Sequence, residues 1–325
     1  MLKTQIFQIP YSQNNFEVGM VPALEIINFS TLSLVTLSKT NQLGPYLAGL
    51  IEGDGSIIVP SKPKSPSGSL NRGGFEICFH IQDYPLAEYL RLKIGGFIRV
   101  RGQACILCIR NKEDVLLLIT LINGYMRTPK IEALHRLINW YNNRYNTKIP
   151  LLGLDESPLK TNSWLSGMLD ADGGFYLNWA INKNGLPITL QYYLRISQRK
   201  FYHRDSFVGK SYLFIMDKIS KFLSVPLRFI NRASVLGKRA STEGFEVRSG
   251  NYLANYTILS YLIKYPLFSY KYVNVQVQIE LLRLSLHKSY RTLDGLKFLT
   301  DQKASVNFYS PSSHWEHINK NFWNS

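Results

Sequence analysis

Two apolar segments of the sequence each end in an acidic residue that is followed by glycine. They are LAGLIEGDG at residues 47–55 and LSGMLDADG at residues 165–173. If each segment is a helix, its last carboxylate lies beside the negative end of the helix dipole, which costs about 0.3–1 kcal/mol unless a cation is close. Asp54 and Asp172 are therefore candidate ligands of a metal ion. We expect Gly55 and Gly173 to end the two helices in the left-handed conformation that glycine adopts readily.

Small residues recur four positions apart within both segments. They are Gly49 and Gly53 in the first segment and Gly167 and Ala171 in the second. Residues four apart lie on one face of a helix, where small side chains let another backbone approach closely. We therefore predict that the two helices pack against each other through these four residues and bring Asp54 and Asp172 together.

The composition indicates a globular protein with a polyanionic partner. The 325 residues are enough for about two domains, and 45% of them are hydrophobic while 18% are charged. The net charge of +16 favours nucleic acid as the partner, and after it an anionic membrane surface. The sequence has no run of about 18 apolar residues, so a transmembrane helix is not predicted.

Cysteine is sparse, with thiols at Cys78, Cys105 and Cys108. A disulfide framework is therefore not expected, and a reducing compartment is the better match. Cys105 and Cys108 form a C-x-x-C pair within a predicted strand, where a spacing of three places them on opposite faces. We interpret them as buried or half-buried thiols, because a metal site would need a second pair of ligands.

The order of predicted elements repeats once along the chain. Helices are predicted at residues 43–54, 84–94, 113–122 and 130–145, and again at residues 163–172, 213–223, 252–264 and 271–286. Pairs of predicted strands separate the first helix from the second, and the second from the third, in each half. The predicted organisation is an N-terminal extension at residues 1–39, a first domain at 40–146, a linker at 147–160, a second domain at 161–292 and a C-terminal tail at 293–325.

The duplicated segment and the repeated order of elements resemble the double-motif, monomeric LAGLIDADG homing endonucleases over roughly residues 43–290. The resemblance implies an α+β fold in which two pseudo-symmetric αββαββα half-domains form a DNA-binding saddle of antiparallel sheets. It also implies an endonuclease that makes double-strand breaks with short 3′ overhangs at a long asymmetric target and so promotes mobility of its host intron. The alternative is an RNA-binding intron-splicing maturase, with or without cleavage. A DNA-binding protein without nuclease activity would not need the two acidic residues.

The resemblance also assigns residues to the site. In the family, the acid that ends each motif binds divalent metal and the backbone carbonyl before it assists, which gives Asp54, Asp172, Gly53 and Ala171. A glutamine that orders metal-bound water and a basic residue that polarises solvent near the phosphate give Gln82, Gln198, Lys130 and Lys271. Glu52 and Asp170 point to another side of the helix and are mainly structural in the family.

The implied cofactor is Mg²⁺ or Mn²⁺, and Ca²⁺ would support binding without cleavage. One or two carboxylates with phosphate oxygens suffice for Mg²⁺, which keeps several waters. The implied partner is double-stranded DNA, bound by a monomer and away from membranes, with host intron RNA in the maturase alternative. The family and the frequent Asn, Ile, Lys and Tyr residues suggest a mitochondrial protein made inside the organelle, since the first 39 residues lack the Arg of a transit peptide.

Basic residues are frequent on the predicted strands, where they would contact DNA phosphates or base edges. The DNA-binding candidates are Arg99, Arg101, Arg110, Arg195, Arg199, Arg228, Arg232, Lys238, Arg239 and Arg248. Strand parity also places four polar residues opposite the apolar faces, and we take these as candidate base readers. They are Glu76, His80, Arg195 and Ser197.

Overall fold

The structure is a computed structural model that describes residues 42–202, 210–232 and 242–307, with residues 315, 317 and 318. The predicted N-terminal extension, residues 1–39, lies outside the described residues. The first half begins with the first acid-terminated segment. Its elements are α1 (Leu43–Asp54), β1 (Gly55–Ile58), β2 (Gly74–His80), α2 (Tyr84–Ile94), β3 (Phe97–Arg101), β4 (Ala104–Ile109), α3 (Lys112–Ile122) and α4 (Ile131–Tyr145).

The second half repeats this order from the second acid-terminated segment onwards. Its elements are α5 (Trp164–Asp172), β5 (Gly173–Ile181), β6 (Pro187–Arg199), α6 (Leu213–Leu223), β7 (Arg228–Arg232), β8 (Thr242–Arg248), α7 (Tyr252–Lys264) and α8 (Lys271–Leu286). A further helix, α9 (Leu293–Asn307), follows where we predicted a tail without assigned structure. Across the described ranges, no helix has the length and apolar character needed to span a membrane.

Each half contains an antiparallel four-stranded sheet, and the strand order is the same in both. The first sheet has the order β1-β2-β4-β3 and the second has the order β5-β6-β8-β7. The register repeats as well, because Gly55 pairs with Ile77 and Gly173, at the same place in its half, pairs with Ile196. The predicted α+β fold of two pseudo-symmetric halves is therefore confirmed.

Each sheet buries one face against helices and leaves polar side chains on the other. In β2, Phe75, Ile77 and Phe79 are buried while the residues between them face away. In β6, Leu194 and Ile196 are buried in the same alternating pattern. Because side chains alternate between the faces of a strand, this register fixes which residues can meet a ligand on the polar face.

The helices α1 and α5 touch through their backbones. A Cβ on Gly49 would overlap the carbonyl oxygen of Trp164, and a Cβ on Gly167 would overlap that of Tyr46. One turn further along α1, a Cβ on Gly53 would overlap the facing side chain of α5. The small residues therefore set the separation of the two helices, and with it the separation of the acids at their ends.

Gly55 and Gly173 do not take the left-handed conformation that we predicted. Their φ angles are −85° and −71°, in the extended region, and the chain passes directly from helix into strand. A Cβ on Gly55 would lie 2.6 Å from the Cα of Ile51, and one on Gly173 would lie 2.5 Å from the carbonyl oxygen of Leu169. The prediction was wrong because the strand that follows requires an extended backbone at both glycines. Glycine is needed here because a Cβ would have no space.

The two thiols of the C-x-x-C pair are both buried. Cys105 and Cys108 are free cysteines with relative exposures of 0% and 1%. Their thiols lie within weak hydrogen-bond distance of the His80 carbonyl and the Glu76 carboxylate, at 3.6 and 3.8 Å respectively. The interpretation as buried thiols is confirmed.

Candidate active site

Asp54 and Asp172 lie at the ends of α1 and α5, where each borders its own cavity. The larger cavity, of about 420 Å³, has among its lining residues Asp172, Lys130, Gln198 and Arg199. The smaller cavity, of about 190 Å³, has among its lining residues Asp54, Lys271, His80 and Asp83. Each cavity therefore combines the terminal acid of one half with a lysine from the other half.

The charges of the two terminal acids repel each other. Burial by the surrounding protein and the charge of Asp172 raise the pKa of Asp54 to about 6, although the ammonium groups of Lys271 and Lys130 act against this rise. A cation beside the carboxylates would relieve the repulsion. Within the described residues, no group of three or more His, Cys, Asp or Glu side chains could hold a metal ion. The donors fit a hard divalent cation that keeps water or phosphate oxygens as further ligands.

Gln198 contacts the terminal acid of its own half. Its Nε2 donates a hydrogen bond to Asp172 Oδ2 at 2.6 Å. Gln198 lies two residues beyond the register partner of Gly173, and the corresponding position in the first half is Phe79. Gln82 lies instead in a short 3-10 helix after β2. Gln82 still lies between β2 and α2, just before the helix as predicted, and its role at the site stays a prediction.

Lys130 and Lys271 hold the ends of the two acid-terminated helices. Lys130 Nζ donates to carbonyl oxygens at the end of α1, at 2.9, 3.4 and 2.9 Å, which belong to Ile51, Gly53 and Gly55. Lys271 Nζ donates to carbonyl oxygens at the end of α5, at 3.2, 2.6 and 2.9 Å, which belong to Leu169, Asp170 and Ala171. Burial lowers the pKa of both lysines. Positive charge at these places stabilises the negative ends of both helices.

Glu52 joins three helices at the junction of the two halves. Its carboxylate accepts hydrogen bonds of 2.6 to 3.1 Å from the N–H of Arg127, from the N–H and hydroxyl of Thr128, and from the indole N–H of Trp164. Burial raises the pKa of Glu52, and these hydrogen bonds act in the opposite direction. Since Thr128 precedes α4 and Trp164 begins α5, Glu52 fixes both helices to α1.

Asp170 makes the corresponding contacts from the second half. It accepts hydrogen bonds from the N–H groups of Phe268 and Ser269 and from the Ser269 hydroxyl, at 2.5 to 3.2 Å, and from the hydroxyl of Tyr46 at 2.8 Å. Spacing in the sequence did not indicate these partners. A visible signal was present, because a hydroxyl residue, Thr128 or Ser269, stands two positions before each candidate lysine.

The polar face of the first sheet carries several of the predicted DNA contacts. The register places Glu76, His80, Arg99 and Arg101 on the same face. Glu76 Oε1 accepts hydrogen bonds from Arg99 at 2.9 Å and from Arg110 at 2.7 Å, so one carboxylate holds two guanidinium groups. His80 also lines the cavity at Asp54, which makes this face continuous with the candidate site.

The polar face of the second sheet is continuous with the cavity at Asp172. Arg195, Ser197 and Arg199 alternate along one face of β6, and both Ser197 and Arg199 line that cavity. Arg248 of β8 lies directly opposite Arg195, and Arg228 of β7 lies on the same face. Arg232 ends the described part of β7, and Lys238 and Arg239 lie outside the described residues.

Two tyrosines that the sequence analysis did not select lie among these arginines. Tyr176 of β5 and Tyr193 of β6 stack with ring centroids 4.6 Å apart. The guanidinium of Arg248 lies 5.2 Å from the centroid of the Tyr193 ring. The signal in the sequence was their parity, since Tyr193 alternates with buried residues of β6 as the arginines do.

Comparison with known proteins agrees with this architecture. The family model for the LAGLIDADG endonuclease matches residues 47–141 and 165–281. The chain is 33% identical to intron-encoded DNA endonuclease aI3 of Saccharomyces cerevisiae, over 72% of this chain and 61% of the relative. It is 29% identical to intron-encoded RNA maturase bI4 of the same yeast, over 51% of this chain and 24% of the relative. It therefore spans less than two thirds of the length of either relative.

A solved structure shows the same fold. The structure of I-SmaMI bound to an uncleaved DNA target in the presence of calcium ions superposes with a TM-score of 0.57 at 16% identity. The match covers 81% of this chain and 98% of that one. The two repeated halves, with their paired helices, are thus an arrangement already seen in a solved protein.

Proposed function

Since the chain belongs to the LAGLIDADG endonuclease family, we propose that it is an intron-encoded, site-specific DNA endonuclease that promotes mobility of its host intron. The observation that supports this best is the pairing of Asp54 and Asp172 at the ends of two helices in contact. Each acid borders a cavity that opens beside an arginine-bearing sheet face. Because one chain supplies both half-sites, the proposed form is a monomer that cuts each strand once and leaves short 3′ overhangs.

The proposed cofactor is Mg²⁺ or Mn²⁺, held by Asp54 and Asp172 with water and phosphate oxygens as further ligands. Such an ion makes a bound water more acidic and stabilises charge on the phosphate. The carbonyls of Gly53 and Ala171 are the proposed assisting ligands, since each accepts one hydrogen bond from a lysine and keeps a second lone pair. Ca²⁺ is expected to support DNA binding without cleavage.

The residues of the chain position the reacting groups. Lys130 and Lys271 fix the helix ends from which the acids project, and Gln198 orients the carboxylate of Asp172. Arginines on the polar faces, such as Arg195 and Arg199, neutralise phosphates and release counterions, so we expect binding to weaken steeply with salt. Base edges in the major groove would be read by the residues of these faces that lie closest to the groove floor.

Two substitutions test this function. Asp54→Asn and Asp172→Asn keep the size of each side chain but remove its charge. With Mg²⁺ and a plasmid that carries the host gene without its intron, we expect the wild type to linearise the plasmid and each variant to leave it uncut or nicked. Asp217→Asn on the exposed surface of α6 is the matched control. Linearisation by either active-site variant would exclude its assigned role, and an uncut plasmid with the wild type would exclude the endonuclease.

The proposed site of action is the mitochondrion, supported by the residue usage and by the intron-encoded names of the relatives. The maturase alternative is supported by one of these names. Binding to the transcript of the host intron, compared with an unrelated RNA of equal length, separates the two. Preferential binding would establish an RNA function beside cleavage, and equal binding would exclude it.

A further inference from the structure

The two half-sites share a backbone arrangement but differ in one side chain. Gln198 and Phe79 hold equivalent places in the two registers. Gln198 donates to Asp172 Oδ2 at 2.6 Å, whereas Phe79 is apolar, 7% exposed and part of the lining of the cavity at Asp54. Within the described part of the chain, no group donates a hydrogen bond to the carboxylate of Asp54.

No other polar group of the smaller cavity takes over the place of Gln198. Asp83 accepts the backbone N–H of Tyr270 at 2.8 Å, and no hydrogen bond between the described residues joins it to the carboxylate of Asp54. Lys271 Nζ donates to the carbonyls at the end of α5. Because none of the described residues that line this cavity donates a hydrogen bond to the carboxylate of Asp54, the difference between the half-sites remains.

A carboxylate that accepts a hydrogen bond on one oxygen presents the other oxygen in a fixed direction. Groups that orient a metal ligand in this way raise its affinity for the metal. A carboxylate without such a partner must give up rotational freedom when it binds a cation. The geometry alone thus makes the two acids unequal as ligands.

We propose that Gln198 positions Asp172 to hold a divalent cation while Phe79 leaves Asp54 without this support, so that the two strands of the target are cut at different rates. The effect of Gln198 on cation binding at Asp172 concerns the free protein alone. The difference between the cutting rates of the two strands rests on the proposed endonuclease function. The strand served by the Asp172 half-site is cut first, and a nicked product therefore accumulates before the linear one.

Calcium binding to the free protein tests the first part without any cleavage. In a calorimetric titration with Ca²⁺ alone, the wild type should show a tighter site that Asp172→Asn removes and Asp54→Asn retains. Gln198→Leu should weaken that site about tenfold. Gln191→Leu is the matched control, because Gln191 is exposed on the same strand and far along it from the acid. Equal binding by Gln198→Leu and the wild type, or loss of the tighter site in Asp54→Asn, would overturn the positioning role, as would no calcium binding at all.

Strand-specific cleavage tests the second part. Each target strand is labelled at its end. Gln198→Leu should slow cleavage of the faster-cut strand about tenfold, and Phe79→Gln should speed cleavage of the slower-cut strand. Phe79→Leu controls for packing, and Gln198→Leu alone decides if Phe79→Gln fails to fold. Equal strand rates in the wild type, or slowing of both strands alike by Gln198→Leu, would overturn the inference and leave the endonuclease function intact. No cleavage by the wild type would overturn that function and leave the calcium result standing.

Discussion

Trp164 Nε1 lies 2.6 Å from Glu52 Oε2, and this hydrogen bond crosses from the second half of the chain to the first. A matching bond runs in the other direction, from the hydroxyl of Tyr46 to Asp170 Oδ2 at 2.8 Å. Tyr46 and Trp164 also supply the carbonyl oxygens against which the glycines of the facing helices pack. The two buried acids, Glu52 and Asp170, thus hold together the two helices that carry the candidate ligands.

Trp164→Phe should destabilise the protein by more than the smaller side chain alone would account for. The substitution removes one hydrogen-bond donor from the fully buried Glu52 carboxylate, which costs about 1–3 kcal/mol. Trp140→Phe is the matched control, because Trp140 is only partly buried and its ring packs against neighbouring tyrosines. Urea unfolding followed by circular dichroism measures both. An equal loss of stability in the two variants would show that the bond to Glu52 contributes little.

Gly49→Ala should destabilise the protein, although alanine in a helix is usually about 1 kcal/mol better than glycine. The sign reverses because the new Cβ would overlap the carbonyl oxygen of Trp164. Overpacking of this kind costs about 1–3 kcal/mol, and it should also lower cleavage by moving the two acids apart. Gly153→Ala, where nothing lies within 4 Å of the added Cβ, is the control. A raised melting temperature for Gly49→Ala would contradict direct contact of the backbones.

Local signals in the sequence were enough to predict the bounds of several helices. The helix α2 ends before Gly95, as predicted, because glycine there adopts a φ of +78° that other residues avoid. The duplicated segments predicted the pairing of α1 and α5 because small residues four apart lie on one helix face. These features depend on neighbours in sequence, which a single chain displays directly.

Contacts between distant residues were not predictable in the same way. The equivalence of Gln198 with Phe79 depends on the register of two strand pairs, and the short 3-10 helix that carries Gln82 was not predicted. The bond between Trp164 and Glu52 joins residues 112 positions apart. Burial and partner geometry, which decide such contacts, follow from the assembled fold and not from local propensity.

Asp83→Asn should change how stability depends on pH. Burial, together with the charge of Asp170, raises the pKa of Asp83 to about 7, from an ordinary value of about 3.9. The folded state therefore holds this proton more tightly than the unfolded state does, and the stability contributed by the protonated form is lost as the pH rises from about 4 through 7. The loss is at most about 4 kcal/mol.

Asparagine in place of Asp83 keeps an oxygen for the N–H of Tyr270 and cannot ionise, so it should remove this loss. Urea unfolding at several pH values between about 4 and 7.5 measures the effect. Asp217→Asn, on the surface of α6, controls for a general change in charge. Parallel stability curves for the wild type and Asp83→Asn would show that Asp83 does not titrate in this range.

Glu76→Gln should tighten binding to double-stranded DNA of any sequence. The substitution removes a negative charge from the polar face of the first sheet and releases Arg99 and Arg110, which both donate to Glu76 Oε1. Each additional phosphate neutralised steepens the plot of log affinity against log salt by about 0.9. Fluorescence anisotropy at several salt concentrations measures the slope. Glu280→Gln, which removes the same charge from an ion pair with Arg283 on α8, is the matched control. Equal tightening by both variants would mean that net charge, and not this sheet face, governs binding.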